Sequence, residues 1–212
     1  MIKIENLTKV FGTQISLNNI SLELKKGDSI IIMGQNGAGK TTLIRSILGQ
    51  YIPTSGKIEV VGINPFKNRV DTISKIGFVP QLPPPIKLTV DELINFAVKS
   101  SNISKDEVIT LCSKMDLDIK EHFKKVFFKL SGGMKQKLLI SIAIAKNPDI
   151  FIFDEPTANL DPKGRESFYE IIKEYKKDRL SIFISHRIEE VSNIVNRRIE
   201  LDLGKVVLDE KI

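Results

Sequence analysis

The stretch of sequence that decides the fold is Gly34-Gln35-Asn36-Gly37-Ala38-Gly39-Lys40-Thr41, which matches the pattern G-x-x-x-x-G-K-[ST]. It follows an apolar segment at 29–33, typical of a strand buried on both faces, and it precedes helical periodicity over 40–48. Glycines let the backbone curl so that N–H groups point at phosphate oxygens, and the helix N-terminus adds a partial positive charge. We therefore expect a phosphate-binding loop here, called the phosphate loop below (residues 34–41).

The side chains of the phosphate loop favour a nucleoside triphosphate with Mg²⁺. Lys40 is long enough to reach the β- and γ-phosphates, and the Thr41 hydroxyl is suited to ligate the metal ion. The further expected nucleotide contacts are Gly34, Asn36, Gly37, Ala38, Gly39 and Thr42. A glycine-rich turn without a ligand is the alternative, but the strand, the lysine and the threonine together disfavour it. No Asn-Lys-x-Asp motif for reading guanine occurs, so a GTPase is disfavoured.

A second apolar segment ends abruptly in acids, in the order Phe151-Ile152-Phe153-Asp154-Glu155-Pro156. Ligands of open α/β sheets gather at the carboxyl ends of the strands, so Asp154 is expected to hold Mg²⁺ directly or through water. Glu155 is the natural general base, able to orient and polarise the attacking water. The alternative is a pair of solvated acids where a strand meets a loop.

The order of the remaining segments predicts one α/β domain with a helical insert. Strands are expected at 2–5, 20–24, 57–61, 76–79, 150–153 and 181–184, and a hairpin over 198–209 that turns near Leu203-Gly204. Amphipathic helices are expected at 89–99 and 104–115, the second opening with a capping box from Ser104 to Glu107. We assign 1–88 and 130–212 to the core of the domain and 89–129 to the helical insert.

Composition narrows the function classes further. The chain has 212 residues, and 42% of them are hydrophobic, which suits one packed domain. The net charge of +6 comes from scattered lysines without an arginine cluster or interleaved aromatics, so no nucleic-acid partner is expected. Cys112 is the single cysteine, which excludes an intrachain disulfide. No apolar run approaches the ~20 residues of a membrane span, and the N-terminus lacks a signal-peptide pattern, so we expect a cytoplasmic protein.

The most specific segment is Leu130-Ser131-Gly132-Gly133-Met134-Lys135-Gln136, called the signature segment below. By itself it predicts a helix from about Met134 to Ala145 that is capped by Ser131. The two glycines leave the cap open to the close approach of a ligand. The segment therefore predicts a second anion site at a helix N-terminus.

With this segment the chain resembles the ATP-binding-cassette (ABC) ATPases, whose signature is Leu-Ser-Gly-Gly-x-x-Gln. The resemblance covers essentially the whole chain, because six motifs of the family occur in order. They are the phosphate loop, Gln81, the signature segment, the acidic strand end, Asp161 and His186. It implies an α/β fold of the P-loop NTPase type, with a RecA-like mixed or parallel sheet, an N-terminal antiparallel β subdomain and an α-helical insert. It also implies an ATPase with ATP and Mg²⁺ as its ligands.

The resemblance supplies roles for weaker signals. Gln81 is expected to contact Mg²⁺ and the attacking water, and His186 to sense the γ-phosphate. Phe11 stands where an aromatic residue stacks on adenine, although a place in the core is its alternative. Asp161 is expected to link two active sites, and it also suits the N-cap before Pro162. The signature residues expected at the nucleotide are Ser131, Gly132, Gly133 and Gln136. Lys137 stands where arginine is common, a departure that removes no catalytic group.

The resemblance also implies partners. In this family the signature of one subunit covers the γ-phosphate held by the other, so a second ATPase subunit is expected, with a homodimer favoured. Integral membrane subunits are expected to dock near the apolar segment 82–88, for which a packed linker is the alternative. This docking places the chain on the cytoplasmic face of the membrane. A soluble mechanical ATPase acting on nucleic acid or ribosomes is the alternative. Short ATPases of ABC-2-type exporters, and the ATPase that helps mature the copper centres of nitrous oxide reductase, are weaker likenesses.

Overall fold

The computed structural model describes residues 1–185 and 188–212 of the 212-residue chain. These residues form two compact units. The first unit contains residues 1–76, 149–151 and 178–212, and the second contains 77–148 and 152–177. The predicted helical insert, residues 89–129, lies entirely within the second unit.

The first sheet has three strands, which are antiparallel and lie in the order β2-β1-β4. Its strands are β1 (Ile2–Phe11), β2 (Gln14–Leu24) and β4 (Ser55–Val60). Ile2 and Ile4 are buried on one face of β1, as period-2 alternation predicts. Both β1 and β2 are longer than predicted, because the pairing register shifts between Ile4 and Leu7, where Asn6 has a φ of 49°. That shift interrupts the alternation from which the sequence-based boundaries were drawn.

The second sheet is mixed and has the strand order β5-β6-β7-β3-β8-β9. Its strands are β3 (Ser29–Met33), β5 (Ile76–Val79), β6 (Ile150–Asp154), β7 (Leu180–Ile184), β8 (Arg197–Asp202) and β9 (Lys205–Lys211). Strand β3 pairs in parallel with both β7 and β8, while β8 and β9 form the predicted antiparallel hairpin. Ile30, Ile31 and Ile32 are fully buried, as the continuous apolar run of β3 indicates. The predicted α/β fold class is confirmed.

Seven α-helices accompany the strands in the described part of the chain: α1 (Lys40–Ile47), α2 (Arg69–Ser74), α3 (Val90–Ser101), α4 (Lys105–Lys114), α5 (Gly132–Ala145), α6 (Pro162–Tyr175) and α7 (Ile188–Val191). Two 3-10 turns, Ile119–His122 and Phe127–Lys129, lead towards α5. A reciprocal capping box forms at the start of α3, between Thr89 and Glu92. At α4, Ser104 accepts a hydrogen bond from the Glu107 N–H. None of the helices within residues 1–185 and 188–212 is long and apolar enough to cross a bilayer.

Helix α5 packs deep in the second unit. It is apolar around most of its circumference, which is typical of a buried helix, and Leu138, Ile140 and Ile144 are among its buried side chains. It contacts α4, where the Cys112 thiol donates a hydrogen bond to the Ser141 hydroxyl at 3.3 Å. Burial raises the pKa of the Cys112 thiol to about 11, so this cysteine is a packing residue and not a nucleophile.

Candidate nucleotide site

The phosphate loop connects β3 to α1 along a path that requires glycine at two points. Gly34 has a φ of 141°, and a Cβ at this position would lie 2.2 Å from the Leu201 carbonyl oxygen. Gly39 has a φ of 105°, and a Cβ there would lie 2.6 Å from the Ser16 carbonyl oxygen. The two glycines therefore allow the loop to pack directly on neighbouring backbone. Since Gly39 is also the N-cap of α1 and supplies no side-chain cap, the N-terminal N–H groups of the helix are suited to bind an anion.

Lys40 lies at the start of α1 with its ammonium group folded over the phosphate loop. Its Nζ atom donates hydrogen bonds to the carbonyl oxygens of Gly34 at 2.6 Å and Gln35 at 3.0 Å. The residue is buried, whereas Asn36, Gly37 and the following Thr41 are exposed. A cation beside an exposed loop backbone and an exposed threonine is suited to bind a phosphate chain.

The phosphate loop is supported from the outside by the β8–β9 hairpin and by β2. At the hairpin tip, Gly204 donates its N–H to the Ala38 carbonyl at 3.1 Å and accepts from the Asn18 N–H at 2.8 Å. On β2, the hydroxyl of Ser16 lies 2.8 Å from that of Thr42, within hydrogen-bond distance. These contacts were not predicted from the sequence, because they join segments far apart in the chain.

Phe11 ends β1 with 42% of its surface exposed, so the alternative of a core residue does not describe it. Its ring meets the ring of Tyr51 edge-on, with centroids 5.2 Å apart, and the Lys9 ammonium lies 4.8 Å from its centroid. An exposed aromatic face in the same compact unit as the phosphate loop is suited to stack on a base.

The acidic strand end lies in the second unit. Phe153 is fully buried and packs edge-on against Phe168 at 5.3 Å, whereas Asp154 and Glu155 are only half-buried. Glu155 has a φ of 47°, in the left-handed region that a glutamate rarely adopts. Sparsely populated backbone conformations of this kind cluster at functional sites. Asp154 and Glu155 therefore lie where the buried strand ends and the chain turns sharply.

The signature segment begins α5 as predicted, although the helix starts at Gly132 and not at about Met134. Ser131 caps it by accepting a hydrogen bond from the Met134 N–H at 3.2 Å. Ser131 and Gly132 are exposed, so the helix N-terminus is open on the protein surface. Asn159 packs close to both glycines, because a Cβ on Gly133 would lie 3.0 Å from its carbonyl oxygen.

Two glutamines of the predicted site lie in different environments. Gln81 is exposed two residues after the end of β5, as expected for a residue that meets a ligand. Gln136 is fully buried, and its Nε2 atom makes a long, 3.5 Å hydrogen bond to the Pro80 carbonyl oxygen. The side chain of Gln136 therefore connects the signature helix to the segment that carries Gln81. Its role at the nucleotide stays a prediction.

Asp161 occupies the N-cap position of α6 with Pro162 at the first helical position, as predicted. Its carboxylate makes no capping hydrogen bond and instead lies 3.4 Å from the Lys137 ammonium. That charge holds the pKa of Asp161 below its usual value, while burial opposes the shift. In the sequence, Lys137 differs from the arginine that is common at this position in the family. A lysine at a buried position of a mostly apolar helix is the signal that identifies it.

The predicted site residues fall into two groups. Phe11, the phosphate loop and Thr42 belong to the first unit, whereas Gln81, Asp154, Glu155, the signature segment and Asp161 belong to the second. His186 lies outside the described residues.

Comparisons with known proteins show the family of this chain. The model of the ABC transporter family matches residues 17–158 of the chain. The energy-coupling factor transporter ATP-binding protein EcfA2 of Clostridium perfringens is 37% identical, and the match covers 100% of this chain and 80% of the relative. The bacitracin transport ATP-binding protein BcrA of Bacillus licheniformis is 37% identical over 98% of this chain and 68% of its own length.

Solved structures show the same fold. An ATP-binding cassette determined as a dimer in a post-hydrolysis state, bound to ADP and Pi, is 26% identical to this chain with a TM-score of 0.87. That match covers 100% of this chain and 98% of the solved one. The family match spans more than half of the chain, and the two relatives align over nearly all of it. The chain therefore belongs to the ABC transporter family, in which it is an ATP-binding and ATP-hydrolysing subunit.

Proposed function

We propose that this subunit binds ATP with Mg²⁺ on its phosphate loop and hydrolyses it as one half of a dimer that drives transport through separate membrane-spanning subunits. The observation that carries the proposal is the position of Lys40. Its ammonium group lies on the carbonyl oxygens of Gly34 and Gln35, beside a helix N-terminus without a side-chain cap. A triphosphate that entered the loop would offer this ammonium group anionic oxygens in place of its neutral carbonyl partners.

The side chains expected around the metal ion fit Mg²⁺. Thr41, Gln81 and Asp154 offer a hydroxyl, an amide oxygen and a carboxylate, which are the hard oxygen donors that Mg²⁺ prefers. When bound, Mg²⁺ neutralises charge on the β- and γ-phosphates. Glu155 would orient the attacking water and accept its proton, and His186 would contact the γ-phosphate. Phe11 would stack on adenine, and Thr42 would hold the phosphate chain from the first turn of α1.

A second subunit would complete the site with its own signature segment. Ser131 and the two following glycines offer an open helix N-terminus, which is suited to a γ-phosphate. The solved relative with ADP and Pi is itself a dimer. We propose a homodimer, in which ATP binding closes the two subunits together and hydrolysis releases them.

The membrane partner would dock on the segment 82–88. Leu82 is 77% exposed and Leu88 is also exposed, while Ile86 is half-buried. Exposed apolar side chains on a proline-rich and therefore stiff segment are suited to receive a helix of a partner. The subunit would then lie on the cytoplasmic face of a membrane. Recovery of the chain with ribosomes and not with a membrane protein would favour the alternative of a soluble mechanical ATPase.

Replacing Leu82 and Leu88 together by Asp is expected to abolish recovery of the membrane subunits with this chain, because two buried charges would oppose docking. The ATPase activity of the isolated subunit should stay within about twofold of wild type, since surface substitutions rarely disturb distant sites. Pull-down from detergent-solubilised membranes measures the first effect, and phosphate release the second. Val70→Asp, which changes another exposed apolar residue, is the matched control and should retain the partner. Loss of ATP binding in the double variant would contradict this docking assignment.

Replacing Phe11 by Ala is expected to weaken ATP binding about tenfold, because stacking on a base contributes roughly 1–3 kcal/mol. Phe11→Tyr should retain the affinity, since it keeps the aromatic face. Phe128→Ala removes an exposed phenylalanine from the second unit and serves as the control. Titration with a fluorescent ATP analogue measures all three variants. Equal affinities for wild type and Phe11→Ala would exclude Phe11 from the adenine site.

A further inference from the structure

Lys137 is a charged residue in a place where charge is unfavourable. It lies on α5 directly after the signature segment, and only 10% of its side chain is exposed. Removing an ammonium group from water costs free energy, so a buried lysine is normally paired with an acidic group. The partner is Asp161, whose carboxylate oxygen Oδ1 lies 3.4 Å from the Lys137 Nζ atom.

Asp161 contacts Lys137 from the N-cap position of α6. An aspartate before a proline at the start of a helix usually caps the first free N–H groups. Here the carboxylate makes no full capping hydrogen bond, although the Gly164 N–H in the first turn of α6 also acts on it, and 58% of the Asp161 side chain is exposed. Both Lys137 and the first turn of α6 therefore act on this carboxylate.

Gly164 provides the space in which the two side chains meet. A Cβ at Gly164 would lie 2.6 Å from Asp161 Oδ1 and 3.0 Å from the Lys137 Cε atom. Gly164 is helical, with no φ that requires glycine, and alanine is the better residue for a helix interior. The absence of a side chain at this position thus favours the ion pair at the expense of helix propensity.

A second contact holds the same loop. The carbonyl oxygen of Asn159 would lie 3.0 Å from a Cβ on Gly133, so the loop is packed on the signature segment two residues before Asp161. Lys137 and Gly133 lie one turn apart on α5 and hold the loop 159–161 at its two ends. Both contacts lie within the second compact unit.

We propose that Lys137 is a positioning residue for ATP hydrolysis. It holds the loop 159–161 against the signature helix, so that the loop and the helix N-terminus contact the nucleotide-bound partner subunit together. The inference rests on the proposed dimeric site, since the loop and the signature segment act there together. Lys137 itself touches neither nucleotide nor water in this role. Its removal should therefore reduce turnover and dimer closure while leaving the affinity of the single subunit for nucleotide unchanged.

The test is ATP hydrolysis by the purified full chain. Lys137→Met keeps the length and removes the charge, and we expect it to lower kcat by about tenfold or more, as small misplacements of active groups do. Lys137→Arg keeps the charge and should restore most of the activity. Binding of fluorescent ADP to all variants should equal wild type. Lys163→Met is the control, since it removes an exposed lysine of α6 that pairs with Asp116.

Gly164→Ala separates positioning from stability and serves if Lys137→Met fails to fold. It changes no charge, and its Cβ displaces the carboxylate from the ammonium group, so kcat should fall at least about threefold. The melting temperature should fall by only a few degrees, because the gain in helix propensity offsets part of the weakened ion pair. A purely structural role for Lys137 predicts the opposite pattern, with lowered melting temperature and unchanged kcat in the variants that fold.

A double-mutant cycle with Asp161→Asn completes the test. If Lys137 acts through Asp161, kcat of the double variant should be no lower than that of the more affected single variant. Multiplying effects, or full activity of Lys137→Met, would overturn the inference while the proposed function stands. A wild-type chain that binds no ATP would overturn the proposed function itself, and the cycle reports on Lys137 only after that binding has been measured.

Discussion

Replacing Glu155 by Gln is expected to lower ATP turnover by about 10²–10⁴-fold, the range that a positioned general base contributes. The amide has the shape of the carboxylate but cannot accept the proton of the attacking water. ATP binding should persist, because the phosphate loop and Phe11 are unchanged. The variant should therefore accumulate in an ATP-bound dimer that wild type leaves by hydrolysis.

The backbone at Glu155 strengthens this expectation. The residue follows a strand whose last apolar side chains are fully buried, and its φ of 47° turns the chain away from the strand direction. Glutamine tolerates the left-handed region about as well as glutamate does, so the substitution should not disturb the fold. Glu155→Gly would remove the side chain and the strain together, and it should be inactive without being unstable.

Phosphate release measures the turnover of Glu155→Gln, and size-exclusion chromatography with light scattering measures its mass with and without ATP. Glu166→Gln makes the same chemical change on an exposed position of α6 and should behave as wild type. A Glu155→Gln variant that hydrolyses ATP at the wild-type rate would remove Glu155 from the role of base. One that is inactive but stays monomeric with ATP would contradict the dimeric site.

The local parts of this molecule were predictable because their causes are local. The phosphate loop needs glycines, a preceding strand and a following helix, and all three are adjacent in sequence. The same holds for the Ser131 cap and for the hairpin turn at Leu203-Gly204, which link residues only a few positions apart. The strands at the N-terminus also followed from alternation, apart from their extent beyond the bulge near Asn6, whereas their antiparallel arrangement was implied by the family resemblance.

Contacts between distant segments could not be predicted from the sequence. The hydrogen bond between Gly204 and Ala38, and the pair of Lys137 with Asp161, depend on how elements pack, which no local pattern encodes. The buried position of Gln136 is a further case, since its place in the signature segment indicated a ligand contact and not packing under Pro80. Short helix α2 was missed because its polar sequence carries no apolar periodicity.

Replacing Lys40 by Met should weaken ATP binding by about 10²-fold or more, because hydrogen bonds from a charged donor contribute roughly 1.5–3 kcal/mol each and this ammonium would make at least two to the phosphates. A second effect has the same sign. Without the ammonium group, the carbonyl oxygens of Gly34 and Gln35 would lose the cation that lies on them and would repel incoming phosphate.

Lys40→Arg should not restore the affinity, although it restores the charge. The lysine is buried against the loop with its Nζ atom 2.6 Å from the Gly34 carbonyl oxygen, and a planar guanidinium is too wide for that position. Titration with a fluorescent ATP analogue measures both variants, with Lys26→Met, an exposed lysine before β3, as the control. Rescue by arginine would mean that Lys40 contributes only net charge. Loss of affinity in both variants, with melting temperatures equal to wild type, would mean that the ammonium acts through its fixed place in the loop.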